Sequence, residues 1–411
     1  HALATGGPAL RAMTFHDRAR MLKALAQYLS ARKNELYELS YLTGATKSDS
    51  RIDIDGGIGT TFVFASKGRR EMPDAHVYLD GDVEMLSRHG SFVGQHVCTP
   101  LQGVAVHINA FNFPVWGMLE KLAPTLLAGM PAIVKPATVT GYLTEAAFRM
   151  IIESGLLPDG AVQLVSGRLG PLLDMLGPQD AVSFTGSAVT GVMLRGTPNL
   201  LERSVRFSAE QDSLNATILG PDVMVGDPEF DLFIKEAAGE ITAKAGQKCT
   251  AVRRILVPEA LRQPVAEALR AALDDVAIGD PRLKEVGMGA LASGGQKQDV
   301  LAKCEMFKGE ARCIIGGEAP RLTGEDLAGG AFVAPTIFDC ADPDGATHLH
   351  EQEAFGPVAC LMAYRKLGHA AVLANRGGGA LVTSVVTRDR EVVHSLVAAS
   401  ACHHGRLYFN N

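Results

Sequence analysis

No apolar run in the 411 residues approaches the roughly 20 needed to cross a bilayer. The longest candidate, LAPTLLAGMPAIV, is broken by proline and glycine. No signal-peptide pattern opens the chain. The seven cysteines are an odd number, widely spaced and without a C-x-x-C pair. A disulfide framework is therefore not expected, and a reducing cytoplasm is. Charge of one sign is scarce as well: 39 Lys and Arg stand against 45 Asp and Glu, a net charge of -6. That balance argues against nucleic acid or an anionic membrane as the main partner. Internal repeats and low-complexity tracts are missing. So is a metal set: HLHE at 348–351 and CHHG at 402–405 carry ligand-type side chains, but neither has a second cluster at a zinc spacing.

What the chain does have is apolar residues at 47% and 44 glycines, enough for large cores and many tight turns. Its length suits two to three domains of about 150 residues. Met21, Leu22, Leu25, Leu29, Leu36 and Leu39 recur at helical steps across 15–44, where Gly44 offers a stop. Residues 76–99 alternate short β-prone pieces with Gly and Asp turns, as in a hairpin or meander. From residue 102 strands and helices alternate: GVAVHIN, PAIVKP, AVQLVSG, AVSFTGS and NATILG are strands, with helical stretches among them. This rhythm predicts a parallel sheet in a doubly wound, nucleotide-binding α/β domain, with NATILG (215–220) as a further strand of it. A second α/β rhythm follows GQKCT (246–250), which puts Cys249 near a seam between two domains.

Several short stretches can carry chemistry. In AVSFTGSAVTG (181–191) a strand runs through Gly186 and Ser187 into a helix, a place where free N–H groups can hold a phosphate. It is not the G-x-G-x-x-G fingerprint, and Ser187 as a plain N-cap is the alternative. Lys135, in PAIVKPAT, falls at the carboxyl end of a buried strand, where it can meet a ribose or phosphate or simply be solvated. Asn112, between two phenylalanines in INAFNFPVWG, can donate to an oxyanion or cap the next helix. Glu210 and Glu353 sit in moderately apolar stretches, so either can be a base of raised pKa or a surface charge.

In their order, FNFP, VKPA, FTGS with Gly191 four residues beyond Ser187, Glu210, GQKC and E-x-F-G-P make the chain resemble the aldehyde dehydrogenase superfamily over nearly its whole length. The resemblance implies an α/β fold with a Rossmann-type cofactor domain (1–75 and 100–225), an oligomerisation β-hairpin (76–99) and an α/β catalytic domain (226–411). Relatives usually begin before His1 and continue beyond GRLYFNN, so a trimmed chain is expected. It implies Cys249 as nucleophile, Glu210 as general base and Asn112, with the Cys249 N–H, as oxyanion hole. It also implies Glu353 as the nicotinamide-ribose contact with Phe355 packing nearby, Lys135 as an adenosine-ribose contact, and Gly186, Ser187 and Gly191 around the pyrophosphate. Gly246 then reads as room for backbone and substrate beside the sulfur.

Two departures from the family pattern carry further expectations. Relatives usually place a glutamate after VKPA that binds the hydroxyls of NAD; here Thr138 stands there. Thr138 and Lys135 together accept a 2′-phosphate, so NADP is expected ahead of NAD. Relatives also show Glu-Leu-Gly-Gly where this chain has Glu210-Gln211-Asp212-Ser213-Leu214-Asn215, which puts the local backbone geometry in question. That segment and HINAFNFPVWGMLEK resemble the semialdehyde dehydrogenases of aerobic benzoyl-CoA and phenylacetyl-CoA breakdown. The implied substrate is a small aldehyde linked to CoA, oxidised to the acid by a homodimer or larger homo-oligomer. The alternatives are a CoA-acylating dehydrogenase, against which the presence of Glu210 counts, and a catalytically silent protein on the same fold.

Overall fold

The computed structural model describes residues 1–410. They form two compact units: residues 1–40 with 50–211, and residues 41–49 with those from 212 onward. Among the described residues no helix is long and apolar enough to cross a membrane.

The first unit opens with a long helix, α1 (Phe15–Ser40). A reciprocal cap starts it: Thr14 N–H donates to Asp17 Oδ2 at 3.0 Å, and the Asp17 N–H donates to Thr14 Oγ1 at 3.1 Å. Leu22, Leu25, Leu29 and Leu36 share its buried face, as the sequence spacing predicts. Helix α2 (Gly56–Arg70) follows, then strands β1 (Tyr78–Met85) and β2 (Val93–Cys98). These two pair antiparallel as a hairpin, with a register slip between Asp80 and Glu84.

The rest of the unit is β3 (Ala105–Ile108), α3 (Trp116–Leu127), β4 (Ala132–Lys135), α4 (Gly141–Glu153), β5 (Val162–Leu164), β6 (Ala181–Thr185), α5 (Ala188–Arg195) and β7 (Arg206–Glu210). The strands lie in the order β5-β4-β3-β6-β7, all parallel. Apolar side chains cover both faces. Met118, Leu122, Val134, Leu143 and Ile151 pack with α1 on one side; Val106, Ile108, Val182 and Phe184 pack with Leu173 and Leu200 on the other. β3 is buried along its whole length, while β4 and β6 alternate buried and half-buried residues and β7 is the exposed edge.

The second unit contains β8 (Asn215–Leu219), α6 (Pro228–Thr242), β9 (Val252–Pro258), α7 (Arg262–Asp274), α8 (Gly294–Phe307), β10 (Arg312–Ile315), β11 (Thr336–Cys340), β12 (Val358–Tyr364), α9 (Leu367–Asn375), β13 (Ala380–Val386), α10 (Arg390–Ser400) and β14 (His404–Asn410). Its sheet runs β10-β11-β12-β9-β8-β13-β14, parallel except for β10. The strand at 215–219 is expected with the nucleotide-binding half, up to residue 225; instead it lies between β9 and β13, inside this second sheet. Sequence distance misleads here because all five residues of β8 are buried, and a strand buried on both faces suits either sheet equally.

A buried arginine braces this sheet. Arg254, fully buried in β9, donates through Nη1 to His350 Nδ1 at 3.0 Å and to the Leu373 carbonyl at 2.8 Å, and through Nη2 to the Ala374 carbonyl at 3.0 Å. His350 passes its Nε2–H to the Pro343 carbonyl at 2.9 Å. The second histidine of HLHE therefore has a structural task, and burial with the Arg254 charge lowers its pKa to about 4. Burial lowers His404 to about 4 and His107, in β3, to about 3.

These three imidazoles titrate below their ordinary value of 6.5. The unfolded chain takes up protons first as pH falls, so stability present above pH 6.5 is lost from there down toward pH 4. Urea unfolding between pH 7 and 4.5 should show a falling midpoint. His350→Asn should flatten that fall; an unchanged slope would mean that His350 is not held neutral.

Candidate active site

In the first unit four strand ends lie level. Ile108 pairs with Lys135 and with Phe184, and Thr185 pairs with Glu210. Asn112, Lys135, Gly186, Ser187 and Glu210 therefore all emerge at or just past the carboxyl edge of one parallel sheet. The chain leaves β3 toward β4 on one side and returns to β6 on the other, which makes the β3–β6 gap the topological switch point where ligands sit in such sheets.

The loop bearing Asn112 is held on three sides. Thr140 Oγ1 donates to the Phe111 carbonyl at 2.9 Å, and Thr144 Oγ1 to the Pro114 carbonyl at 3.1 Å. Asp53 Oδ1, 1% exposed, accepts from the Val115 and Trp116 N–H groups at 3.1 and 2.7 Å. Asp53 is thus the residue that caps α3, and the alternative task for Asn112, helix capping, is taken. Asn112 itself is buried, 7% exposed.

Ser187 does cap α5: its Oγ accepts from the Thr190 N–H at 3.3 Å. Being exposed, it leaves the helix start open to an anion. Gly186 donates its N–H to the Glu210 carbonyl at 3.1 Å. A Cβ on Gly191 would stand 2.0 Å from Gln211 Nε2, so this glycine makes room for the residue after Glu210. Lys135 is half-buried, and desolvation pulls its pKa down. Thr138 is exposed in the turn that follows.

The second unit holds Cys249, Glu353 and Phe355. Cys249 is half-buried in the turn between α6 and β9. The three residues Lys244, Ala245 and Gly246 that lead to it all have positive φ, 54°, 53° and 69°. For the two with side chains this conformation costs on the order of 1 kcal/mol or more each. Partners hold it in place. Lys244 N–H donates to Asp49 Oδ1 at 2.7 Å, its ammonium to Thr43 Oγ1 at 2.8 Å, and the Gln247 amide to the Lys244 carbonyl at 3.1 Å. A Cβ on Gly246 would lie 2.0 Å from the Gly356 carbonyl. Gly246 therefore gives room to the backbone of the E-x-F-G-P segment. Lys248 pairs with Glu240 at 2.6 Å.

The unusual EQDSLN stretch has a task of its own. Asn215, fully buried, donates through Nδ2 to the Cys249 and Ala251 carbonyls at 2.8 and 2.9 Å. Its Oδ1 accepts from Ser213 Oγ at 2.8 Å and from the Val382 N–H at 3.0 Å. All four hydrogen-bonding positions of the amide are filled. Ser213 N–H also donates to Glu353 Oε2 at 3.1 Å. Where the glycines of the family pattern are missing, side-chain hydrogen bonds hold the backbone instead. The Glu353 side chain is only 4% exposed; burial raises its pKa while Arg253 pulls the other way.

Sequence reasoning missed Asn215, Lys244, Arg253 and Glu120. Glu120, in α3, is pushed up by burial and by the nearby Glu210 carboxylate, with Lys121 opposing. Lys121 Nζ donates to Thr185 Oγ1 at 2.7 Å, at the end of β6. The legible signal was a Glu-Lys pair inside an otherwise apolar helix.

Asn215→Ala would strand two carbonyls, a hydroxyl and an N–H in the interior. Its unfolding free energy should fall by roughly 2–4 kcal/mol, read as the urea midpoint; a loss under about 0.5 kcal/mol would show that Asn215 holds nothing.

The family model for the aldehyde dehydrogenase family matches residues 2–411. The chain is 42% identical over 408 residues, 99% of its own length and 79% of the other's, to a 3,4-dehydroadipyl-CoA semialdehyde dehydrogenase of Aromatoleum evansii. Among solved structures it resembles an aldehyde dehydrogenase from Pseudomonas aeruginosa, with TM-score 0.84 and 25% identity over 98% of this chain and 78% of that one. It also resembles the betaine aldehyde dehydrogenase of Staphylococcus aureus solved with NAD+, with TM-score 0.84 and 24% identity over 97% and 75% of the two chains; at that identity the likeness speaks for the fold alone. With the six motifs in their order, these matches make the chain a member of the aldehyde dehydrogenase family, an oxidoreductase acting on aldehydes with a nicotinamide dinucleotide.

Proposed function

We propose that the protein oxidises a CoA-linked semialdehyde, of the 3,4-dehydroadipyl-CoA semialdehyde type, to the free acid, with NADP preferred over NAD. The substrate class rests on the 42% identity to the Aromatoleum evansii enzyme. The observation that carries the acid-forming reading is Glu210 at the carboxyl edge of the first sheet, with a second carboxyl, Glu120, in its field. In this reading the Cys249 thiolate adds to the aldehyde carbon, and Asn112 with the Cys249 N–H holds the resulting oxyanion; one such donor is worth about 3 kcal/mol. When bound, the dinucleotide accepts the hydride. The thioester left on Cys249 is then hydrolysed by a water that gives its proton to Glu210.

The chain's own residues fit such a cofactor. The open start of α5 at Ser187 suits a pyrophosphate. Val189 and Val192 leave an exposed apolar surface on the same helix, suited to a flat base. Exposed Thr138 and the Lys135 ammonium suit a 2′-phosphate, where a carboxylate would repel it. The hairpin bears exposed Leu79, Val83, Met85, Phe92 and Val97, which supports its reading as an oligomerisation element.

Glu210→Gln should keep a burst of reduced cofactor of about one equivalent per Cys249 and lose steady turnover by about 100-fold or more. Turnover at the wild-type rate would remove Glu210 as the base. Free CoA added to the wild type should yield no new acyl-CoA; its appearance would favour the CoA-acylating alternative. Thr138→Glu should shift the NADP/NAD ratio of kcat/KM toward NAD by about tenfold or more, and an unchanged ratio would sink the 2′-phosphate assignment.

A further inference from the structure

Arg253, the second residue of β9, is 4% exposed and lies in a buried web of its own. Its Nε donates to Glu353 Oε1 at 3.0 Å. Nη1 donates to the Gly356 carbonyl at 2.8 Å, and Nη2 to the Gly246 carbonyl at 2.9 Å, with a longer 3.4 Å approach to the Lys248 carbonyl. The guanidinium stands 5.5 Å from the centroid of the Phe355 ring. Its acceptors thus come from two segments: the turn that carries Cys249 and the Glu353–Gly356 loop. Both lead into neighbouring parallel strands, β9 and β12.

Each contact has a physical consequence. The Glu353 carboxylate is desolvated, and with Arg253 removed it would keep the Ser213 N–H as donor against the opposing charge of Asp212; a buried carboxylate without its counter-charge takes up a proton or turns outward. The carbonyls of Gly246 and Lys248 bracket the turn just before the thiol, whose left-handed entry is strained. A rigid planar fork can reach both segments at once, which a lysine's single ammonium cannot. A fixed positive charge bonded to the Gly246 carbonyl, in the turn that leads to Cys249, also favours the thiolate.

We propose that Arg253 is a positioning residue for the reaction: one guanidinium keeps Glu353 charged and aimed as the ribose anchor, and from the same point sets the Cys249 turn. Dinucleotide affinity and thiol reactivity are therefore coupled through a buried side chain whose hydrogen bonds go to protein groups. This rests on the reading of Cys249 as nucleophile and Glu353 as ribose contact.

The test uses the full chain as Arg253→Gln, Arg253→Lys, Glu353→Gln and the Arg253→Gln/Glu353→Gln double variant. Three quantities are read: the KM for NADP, the pH profile of iodoacetamide alkylation at Cys249 followed on its peptide by mass spectrometry, and thermal unfolding. Arg253→Gln should raise the NADP KM by about tenfold or more and move the alkylation profile to higher pH. The double variant should have a KM no higher than Arg253→Gln alone. Arg253→Lys, which keeps the charge and stands in should the glutamine variant not fold, should largely restore KM but not the alkylation profile. A fall in thermal midpoint with KM and alkylation profile both at wild-type values would overturn the proposal, as would additive effects on KM. If Glu353→Gln alone leaves KM unchanged, the ribose assignment of Glu353 has failed instead, and the alkylation profile of the Arg253 variants then decides the role of Arg253 by itself.

Discussion

A short left-handed backbone run, Lys244-Ala245-Gly246, is the constraint on which the second unit is arranged. It turns the chain out of α6 and into β9 within a few residues, and so fixes where the thiol of Cys249 stands. Two of its three residues carry a Cβ, so the turn is uphill by itself. Asp49 and Thr43 hold Lys244 from below, Gln247 closes the turn from within, and Arg253 and Asn215 take carbonyls on either side of the sulfur. The missing Cβ of Gly246 lets the Gly356 carbonyl close against it. The strain is local; the interactions that hold it are spread over most of the unit.

The first unit solves a different problem by simpler means. Parallel pairing in register brings Ile108, Lys135, Phe184 and Glu210 to one edge. Every polar group placed just beyond a strand end then faces the same space. Little strain is needed, since β-sheet hydrogen bonds do the alignment and Asp53, Thr140 and Thr144 tie down the one loop that extends past the edge. The proximity of Glu120 to Glu210 is the electrostatic feature of this edge. Burial and like charge together make Glu120 hold its proton more tightly than an ordinary glutamate.

Much of this was legible beforehand. The alternation of strand and helix, the buried face of α1, the hairpin and the parallel sheets follow from hydrophobic period and from turn residues. FTGS reads as strand, turn and helix, and Ser187 is the cap that its type and place suggest. Elsewhere the same local logic failed for identifiable reasons. Asn112 is a good capping residue, but a fully buried aspartate some sixty positions away, Asp53, reaches α3 first. Gly246 does make room for backbone, as its place suggests, but the backbone it admits belongs to a segment a hundred residues later. The strand at 215–219 follows the first domain in the chain yet joins the second sheet.

The sequence by itself therefore determined the family: FNFP, VKPA, FTGS, Glu210, GQKC and E-x-F-G-P stand in its order. Such information sits in short stretches, where residue type and spacing act locally. Only the tertiary structure decided the supports. Arg253 meets Glu353 across 100 positions, and Asn215 meets Val382 across 167. Lys248, next to Cys249 in the chain, has its ammonium on Glu240 in α6. Buried polar groups must find partners wherever the fold brings them, and that choice is made by sheet order and packing, which no window of the sequence contains.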